Sequence, residues 1–195
     1  EPNFNKIYKK KYTYQNDYFL STKNKIHLIY NKIKKKNIII SWEGWYNKWE
    51  NVDIISTGYD SDNILQNAKK AMLKVKNGEA AFERDSVIFD QLEYDWEIIS
   101  ILLRSASENK NTIKVLDFGG SLGTSYYQNR NFIPKKIKIE WSIIEQNHYV
   151  DCGNKFFADE KLKFYYDIDE YLKDREPNIV LLNGVLQYIK NPYEL

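Results

Sequence analysis

The sequence predicts an α/β chain whose C-terminal part is an open, doubly wound parallel sheet, preceded by a helical region. Two observations carry this expectation. From Ile113 onward, short apolar runs alternate with helical segments, and strands separated by helices pair in parallel. The first run ends in an acidic residue and a glycine-rich turn, Ile113-Lys114-Val115-Leu116-Asp117-Phe118-Gly119-Gly120-Ser121-Leu122-Gly123. Strand, tight turn and helix start, in that order, build a pocket at the carboxyl end of the first strand of such a sheet.

Strands are expected at 113–118, 138–145, 161–166 and 178–183, with helices at about 124–131, 147–158 and 168–174. Pro134 and Pro177 fall in the connecting loops, as helix and strand breakers do. A doubly wound sheet has two halves, and residues 111–195 end just after the fourth strand. The expectation is a partial domain that lacks its C-terminal half-sheet. Residues 41–110 are expected to form a helical cap. One helix runs over 64–75, after turn and capping residues at 58–63, and Asn77-Gly78 stops it. A second carries Trp96, Ile98, Ile99, Ile101, Leu102 and Leu103 and ends by Ser107. Glu83-Arg84-Asp85-Ser86, between the two, reads as helix-start chemistry. Trp42, Trp45 and Trp49 read as aromatics that fill a core or pin a loop. Residues 1–40 form a separate lysine-rich segment, with a helical-looking piece at 26–36 and an Ile38-Ile39-Ile40 run.

Composition narrows the function classes. The 195 residues are 43% hydrophobic, enough for one core. Basic and acidic residues nearly balance, 29 against 27, so no general affinity for nucleic acid follows. Ten lysines crowd the first 36 residues. They read first as a solvated face, with peripheral contact to anionic lipid as the sharper alternative. Cys152 is the single cysteine, which excludes an internal disulfide and suits a reducing, cytoplasmic compartment. His27 and His148 are far apart and form no metal-ligand spacing with it. No run reaches the roughly 18 apolar residues that span a bilayer.

The glycine-rich turn has the spacing Asp117-x-Gly119-x-Ser121-x-Gly123. Glycines let a backbone come close to a ligand, and an acid directly before the loop favours a positively charged one. The second strand ends in Glu145, 28 positions after Asp117. An acid there accepts the ribose hydroxyls of a bound nucleoside. A pyrophosphate prefers helix N–H groups with no acid beside them. Asp117 therefore favours a nucleoside bearing a sulfonium and an ammonium over a nicotinamide dinucleotide. An acidic surface residue at a strand end is the plain alternative.

Further blocks extend the pattern: Trp45-Tyr46-Asn47-Lys48-Trp49, Ser56-Thr57-Gly58-Tyr59-Asp60-Ser61-Asp62-Asn63-Ile64-Leu65, Gly78-Glu79-Ala80-Ala81-Phe82-Glu83-Arg84-Asp85-Ser86 and Val180-Leu181-Leu182-Asn183-Gly184-Val185-Leu186-Gln187-Tyr188-Ile189. Together with the glycine loop, and over residues 41–195, they resemble a bacterial class I S-adenosylmethionine-dependent methyltransferase family associated with surface-polysaccharide (O-antigen or capsule) gene clusters. The resemblance implies a Rossmann-like sheet and S-adenosyl-L-methionine as cofactor. Asp117, Gly119, Gly120, Ser121 and Gly123 would hold the methionine end. Glu145 would take the ribose hydroxyls, Gln146 would flank the adenine, and Asp167 would meet its amino group. Asn183 and Tyr188 would lie nearest the methyl group and are the catalytic candidates. Glu83, Arg84 and Asp85 would cap the pocket, with Arg84 either pairing with an acidic sugar or phosphate or tying the cap down by an internal ion pair. Two departures stand out. Ser121 replaces the usual middle glycine. Tyr188 falls where many relatives carry a histidine, and a phenol near pKa 10 is a poor base at neutral pH. The expected activity is O-methylation of a sugar or related group in surface glycan biosynthesis. The alternatives are a non-catalytic scaffold with a degenerate pocket and, behind it, a nicotinamide-dependent oxidoreductase.

Overall fold

The computed structural model describes residues 48–53 and 62–195. The lysine-rich segment 1–40, Trp42, Trp45 and the turn residues 58–61 lie outside them. The chain divides into two compact units, Glu1–Val52 and Asp53–Leu195. One short helix, α1 (Glu50–Asp53), spans the division. The second unit runs α2 (Asp62–Lys76), β1 (Phe82–Arg84), β2 (Val87–Phe89), α3 (Trp96–Glu108), β3 (Thr112–Phe118), α4 (Thr124–Asn129), β4 (Lys138–Ile144), α5 (Asn147–Phe156), β5 (Leu162–Tyr165), α6 (Ile168–Leu172) and β6 (Ile179–Leu181). Two 3-10 turns follow, Leu186–Tyr188 and Pro192–Glu194.

Four strands form one sheet in the order β5-β4-β3-β6, and every pair is parallel. The chain thus steps outward from β3 to β4 to β5, then returns to the other side of β3. Right-handed crossovers fix the consequence. Steps in one direction leave their helices on one face, and the return step puts its helix on the other. Accordingly α4 and α5 share a core with Val115, Trp141, Ile143, Leu162 and Phe164. Tyr171 and Ile168 of α6 pack instead with Leu116 and Ile144 on the opposite face. This is an α/β parallel sheet flanked by helices, compatible with a Rossmann-like fold.

Helices α2 and α3 belong to the same core as the sheet. Leu65, Ala68, Met72 and Val75 make the apolar stripe of α2, and Ile98, Leu102 and Ala106 that of α3. The region 62–110 is therefore a covering layer of the sheet, and the sequence boundary at 110 is not a break in packing. α2 ends at Lys76, before Gly78, as its stop signal implies. Helix α3 begins at Trp96, where the Asp95 side chain accepts from the Ile98 N–H at 3.1 Å.

Glu83-Arg84-Asp85-Ser86 does not start a helix. It is the turn of a β-hairpin, with Arg84 opposite Val87 and Glu83 opposite Ile88. Asp85 and Ser86 both have positive φ, 50° and 65°, which is the two-residue turn whose twist suits a hairpin. The Glu83 carboxylate accepts the Ser86 N–H at 3.0 Å and holds the turn. The Phe82 and Phe89 rings stack at 4.5 Å behind it. Asp95, rather than Asp85 or Ser86, is the helix cap. The last strand is also shorter than expected: β6 ends at Leu181, which leaves Asn183 in the loop beyond it.

Candidate functional site

The strand order reverses between β3 and β6, and such a reversal opens a crevice at the carboxyl ends of the two strands. The glycine-rich loop lies there. Its backbone is left-handed at alternate positions, Gly119 (φ 74°), Ser121 (φ 53°) and Gly123 (φ 103°). The Gly119 N–H donates to the Ile144 carbonyl at 2.9 Å, which ties the loop to the end of β4. The loop is also wedged from two sides. A Cβ on Gly119 would lie 2.6 Å from Cγ2 of Val185, and one on Gly120 would lie 2.6 Å from the Asp117 carboxyl. Neither position has room for a side chain. Ser121 is the residue that carries a Cβ in the left-handed region, a conformation that costs roughly 1–2 kcal/mol outside glycine.

Three carboxylates converge on this loop. Asp117, at the end of β3, is 2% exposed and accepts the Trp141 Nε1–H at 3.0 Å. Burial raises its pKa from an ordinary 3.8 to about 7, opposed by the Trp141 hydrogen bond and helped by the charge of Glu145. Glu145 follows β4. Its two oxygens accept the Ser121 N–H at 3.0 Å and the Gln146 N–H at 2.9 Å. Burial raises its pKa as well, against those two donors and the nearby His148. Glu83 is 5% exposed and accepts from the Thr124 hydroxyl at the start of α4. Its pKa is likewise raised, chiefly by burial. Tyr149, on α5, is pushed up to about 12 by its own burial and then by the charges of Glu145, Cys152 and Glu83.

No Lys or Arg is among the groups acting on any of the three acids. The ion pairs found among the described residues lie elsewhere, at Arg104–Glu108 and around Glu140. The loop is thus flanked by the buried Asp117 and Glu83 and the half-buried Glu145, which hydrogen-bond donors support and which no Lys or Arg among the described residues neutralises. That surrounding repels a phosphate. It suits a ligand that brings positive charge and hydroxyl donors, because a carboxylate offers about four acceptor positions and Glu145 uses two. No group of His, Cys, Asp or Glu among the described residues is arranged to hold a metal ion.

The other expected residues divide. Gln146 sits exposed at the first turn of α5, on the same rim as Glu145. Asp167, just past β5, is exposed and caps α6 by accepting the Glu170 N–H at 2.6 Å. Asn183 is exposed, and Tyr188, in the 3-10 turn after β6, is 53% exposed. Their segment reaches the loop through Val185. Arg84 is exposed, with its guanidinium 5.8 Å from the centroid of the Phe82 ring. No ion pair of Arg84 occurs among the described residues. Asp85 is exposed at the turn. Of the three cap candidates, Glu83 is the buried one, and the charge of Asp85 adds to the rise in its pKa.

Trp141, Thr124, Tyr149 and His148 are site residues that sequence reading missed, and Val185 lies within the expected stretch from Asn183 to Tyr188. Trp141 had a findable signal, since residue parity puts it on the same face as Asp117 once Val115 is known to pair with it. No protein-family model, curated protein or solved structure matches the chain.

Proposed function

We propose that the chain is an S-adenosylmethionine-dependent methyltransferase whose cofactor is held by the glycine loop and the acids around it. One observation carries the reading. The loop at the strand-order reversal is flanked by Asp117, Glu145 and Glu83, and among the described residues no Lys or Arg acts on them, His148 beside Glu145 being the one basic group that does. The donor set therefore fits a nucleoside with a sulfonium and an ammonium. It argues against a pyrophosphate-bearing dinucleotide, which needs N–H donors free of neighbouring acids.

When bound, S-adenosylmethionine supplies a methyl group already activated on a sulfonium sulfur. The chain's own residues bind and orient. Glu145 accepts hydroxyl protons with the two acceptor positions that Ser121 and Gln146 leave. Asp117 sets a negative potential directly beneath the loop. Gln146 and Asp167 stand on the rim where an adenine would extend. The loop after β6, carrying Asn183 and Tyr188, borders the opposite side through Val185. The acceptor is a sugar or related group of surface glycan synthesis. This part rests on the sequence resemblance alone.

Calorimetric titration of S-adenosylhomocysteine, with NAD as control, tests the reading. The expected result is binding of the thioether nucleoside and none of NAD, with binding lost in Asp117→Ala and Glu145→Ala. Unchanged binding in both variants would sink the site assignment. Cofactor binding without turnover on any nucleotide-linked or lipid-linked sugar would favour the non-catalytic scaffold.

A further inference from the structure

Among the described residues, one buried side-chain polar atom has no hydrogen-bond partner: Nε2 of His148. The residue is second in α5 and three positions after Glu145. Its ring packs edge-on against Tyr149, with centroids 5.0 Å apart and planes at 63°. It is close enough to Glu145 to pull that carboxyl's pKa down against the effect of burial. Whichever tautomer is present, the nitrogen carries an N–H without an acceptor or a lone pair without a donor. An enclosed group of that kind weakens the fold, and an apolar ring of similar shape would remove the penalty. The neighbouring polar groups are satisfied, Asp117 by Trp141, Glu83 by Ser86 and Thr124, and Glu145 by Ser121 and Gln146. The orphan therefore stands out beside Glu145, the half-buried acid at the end of β4, which has acceptor positions left for a ligand.

We infer that His148 is a specificity-determining contact for the hydroxyl-bearing part of the nucleoside, acting with Glu145. The inference rests on the cofactor reading above. A hydroxyl that gives its proton to Glu145 keeps two lone pairs, and an imidazole N–H is the donor that matches them. The acid and the imidazole then read a hydroxyl as donor and acceptor together. A position that lacks the hydroxyl satisfies neither, and sites built to bond a hydroxyl reject its absence strongly. His148 as a whole is only partly buried.

The test compares S-adenosylhomocysteine with its 2′-deoxy and 3′-deoxy analogues by calorimetry. The wild type, His148→Phe and His148→Gln are each titrated, and their melting temperatures are measured without ligand. The wild type prefers the intact ribose. His148→Phe binds the intact nucleoside roughly tenfold more weakly, the worth of one hydrogen bond. It binds at least one deoxy analogue as well as the wild type does, and it melts at the same temperature or higher. His148→Gln, which keeps both a donor and an acceptor, retains part of the preference. An equal loss for all three ligands, or none, overturns the inference. So does a lower melting temperature with the preference intact, or failure of His148→Phe to fold, since either assigns the ring a structural role. Failure of the wild type to bind S-adenosylhomocysteine at all is a separate result, and it removes the cofactor reading itself.

Discussion

Replacing Asp117 by Asn makes the ligand-free protein more stable at neutral pH, and the gain vanishes in acid. The folded carboxyl has a pKa of about 7 against an ordinary 3.8. Between those two values the folded state binds the proton and the unfolded state does not. Stability from this group is therefore greatest below pH 3.8 and is lost as pH rises through 7. Each tenfold change in proton affinity is worth about 1.36 kcal/mol, so the full penalty above pH 7 is about 4 kcal/mol. Asparagine keeps an oxygen to accept the Trp141 N–H and carries no charge to desolvate. For a chain of this size about 4 kcal/mol corresponds to roughly 10 °C in Tm. The assay is urea unfolding of wild type and Asp117→Asn at pH 4, 6 and 8. Subtracting one protein from the other cancels Glu83 and Glu145 to first order. The expected difference is close to zero at pH 4 and largest at pH 8. An Asp117→Asn protein that is less stable than wild type at pH 8, or a difference that does not change with pH, would refute the assignment of an uncompensated buried acid beneath the loop.

Two further substitutions test the packing around the site. Thr124→Val removes a hydroxyl donor from the buried Glu83 carboxylate. It should cost about 1–3 kcal/mol at pH 7 and less in acid, where the carboxyl is protonated, as read by denaturant unfolding at the two pH values. Gly153→Ala puts a methyl 2.5 Å from Cδ1 of Phe164. Overpacking of about 1–3 kcal/mol outweighs the roughly 1 kcal/mol gained in helix propensity, so Tm falls. An unchanged or higher Tm would mean that the Phe164 ring yields.

The parallel sheet was legible because each strand from Ile113 onward is bounded by loops and separated from the next by helical spacing. Strand order is not written in that pattern. It follows only when the return from β5 to β6 is seen to pass over the opposite face. The hairpin at 82–89 was misread because Asp85 and Ser86 are good helix caps and equally good occupants of a left-handed turn. The turn is held locally by the Glu83–Ser86 hydrogen bond, and Glu83 is also bonded by Thr124, 41 residues away. The acids Asp117 and Glu145 were identified by their places at strand ends. That no Lys or Arg among the described residues acts on them could not be read from sequence, because a strand-end pattern does not say which charges the fold brings near. Asn183 was expected to end the last strand, and β6 stops two residues before it; the roles of Asn183 and Tyr188 came from the resemblance.

The two walls of the glycine loop differ greatly in how far along the chain they come from. Glu145 meets Ser121 across 24 residues, whereas Val185 meets Gly119 across 66. Closing the longer loop costs roughly 1 kcal/mol more in chain entropy. During folding, the wall formed by β3 and β4 is the more local product. The wall formed by β6 depends on a later, more distant docking. A chain caught between those steps already presents its buried acids to one side of an open loop. A cation that bridges both walls would draw the second one home.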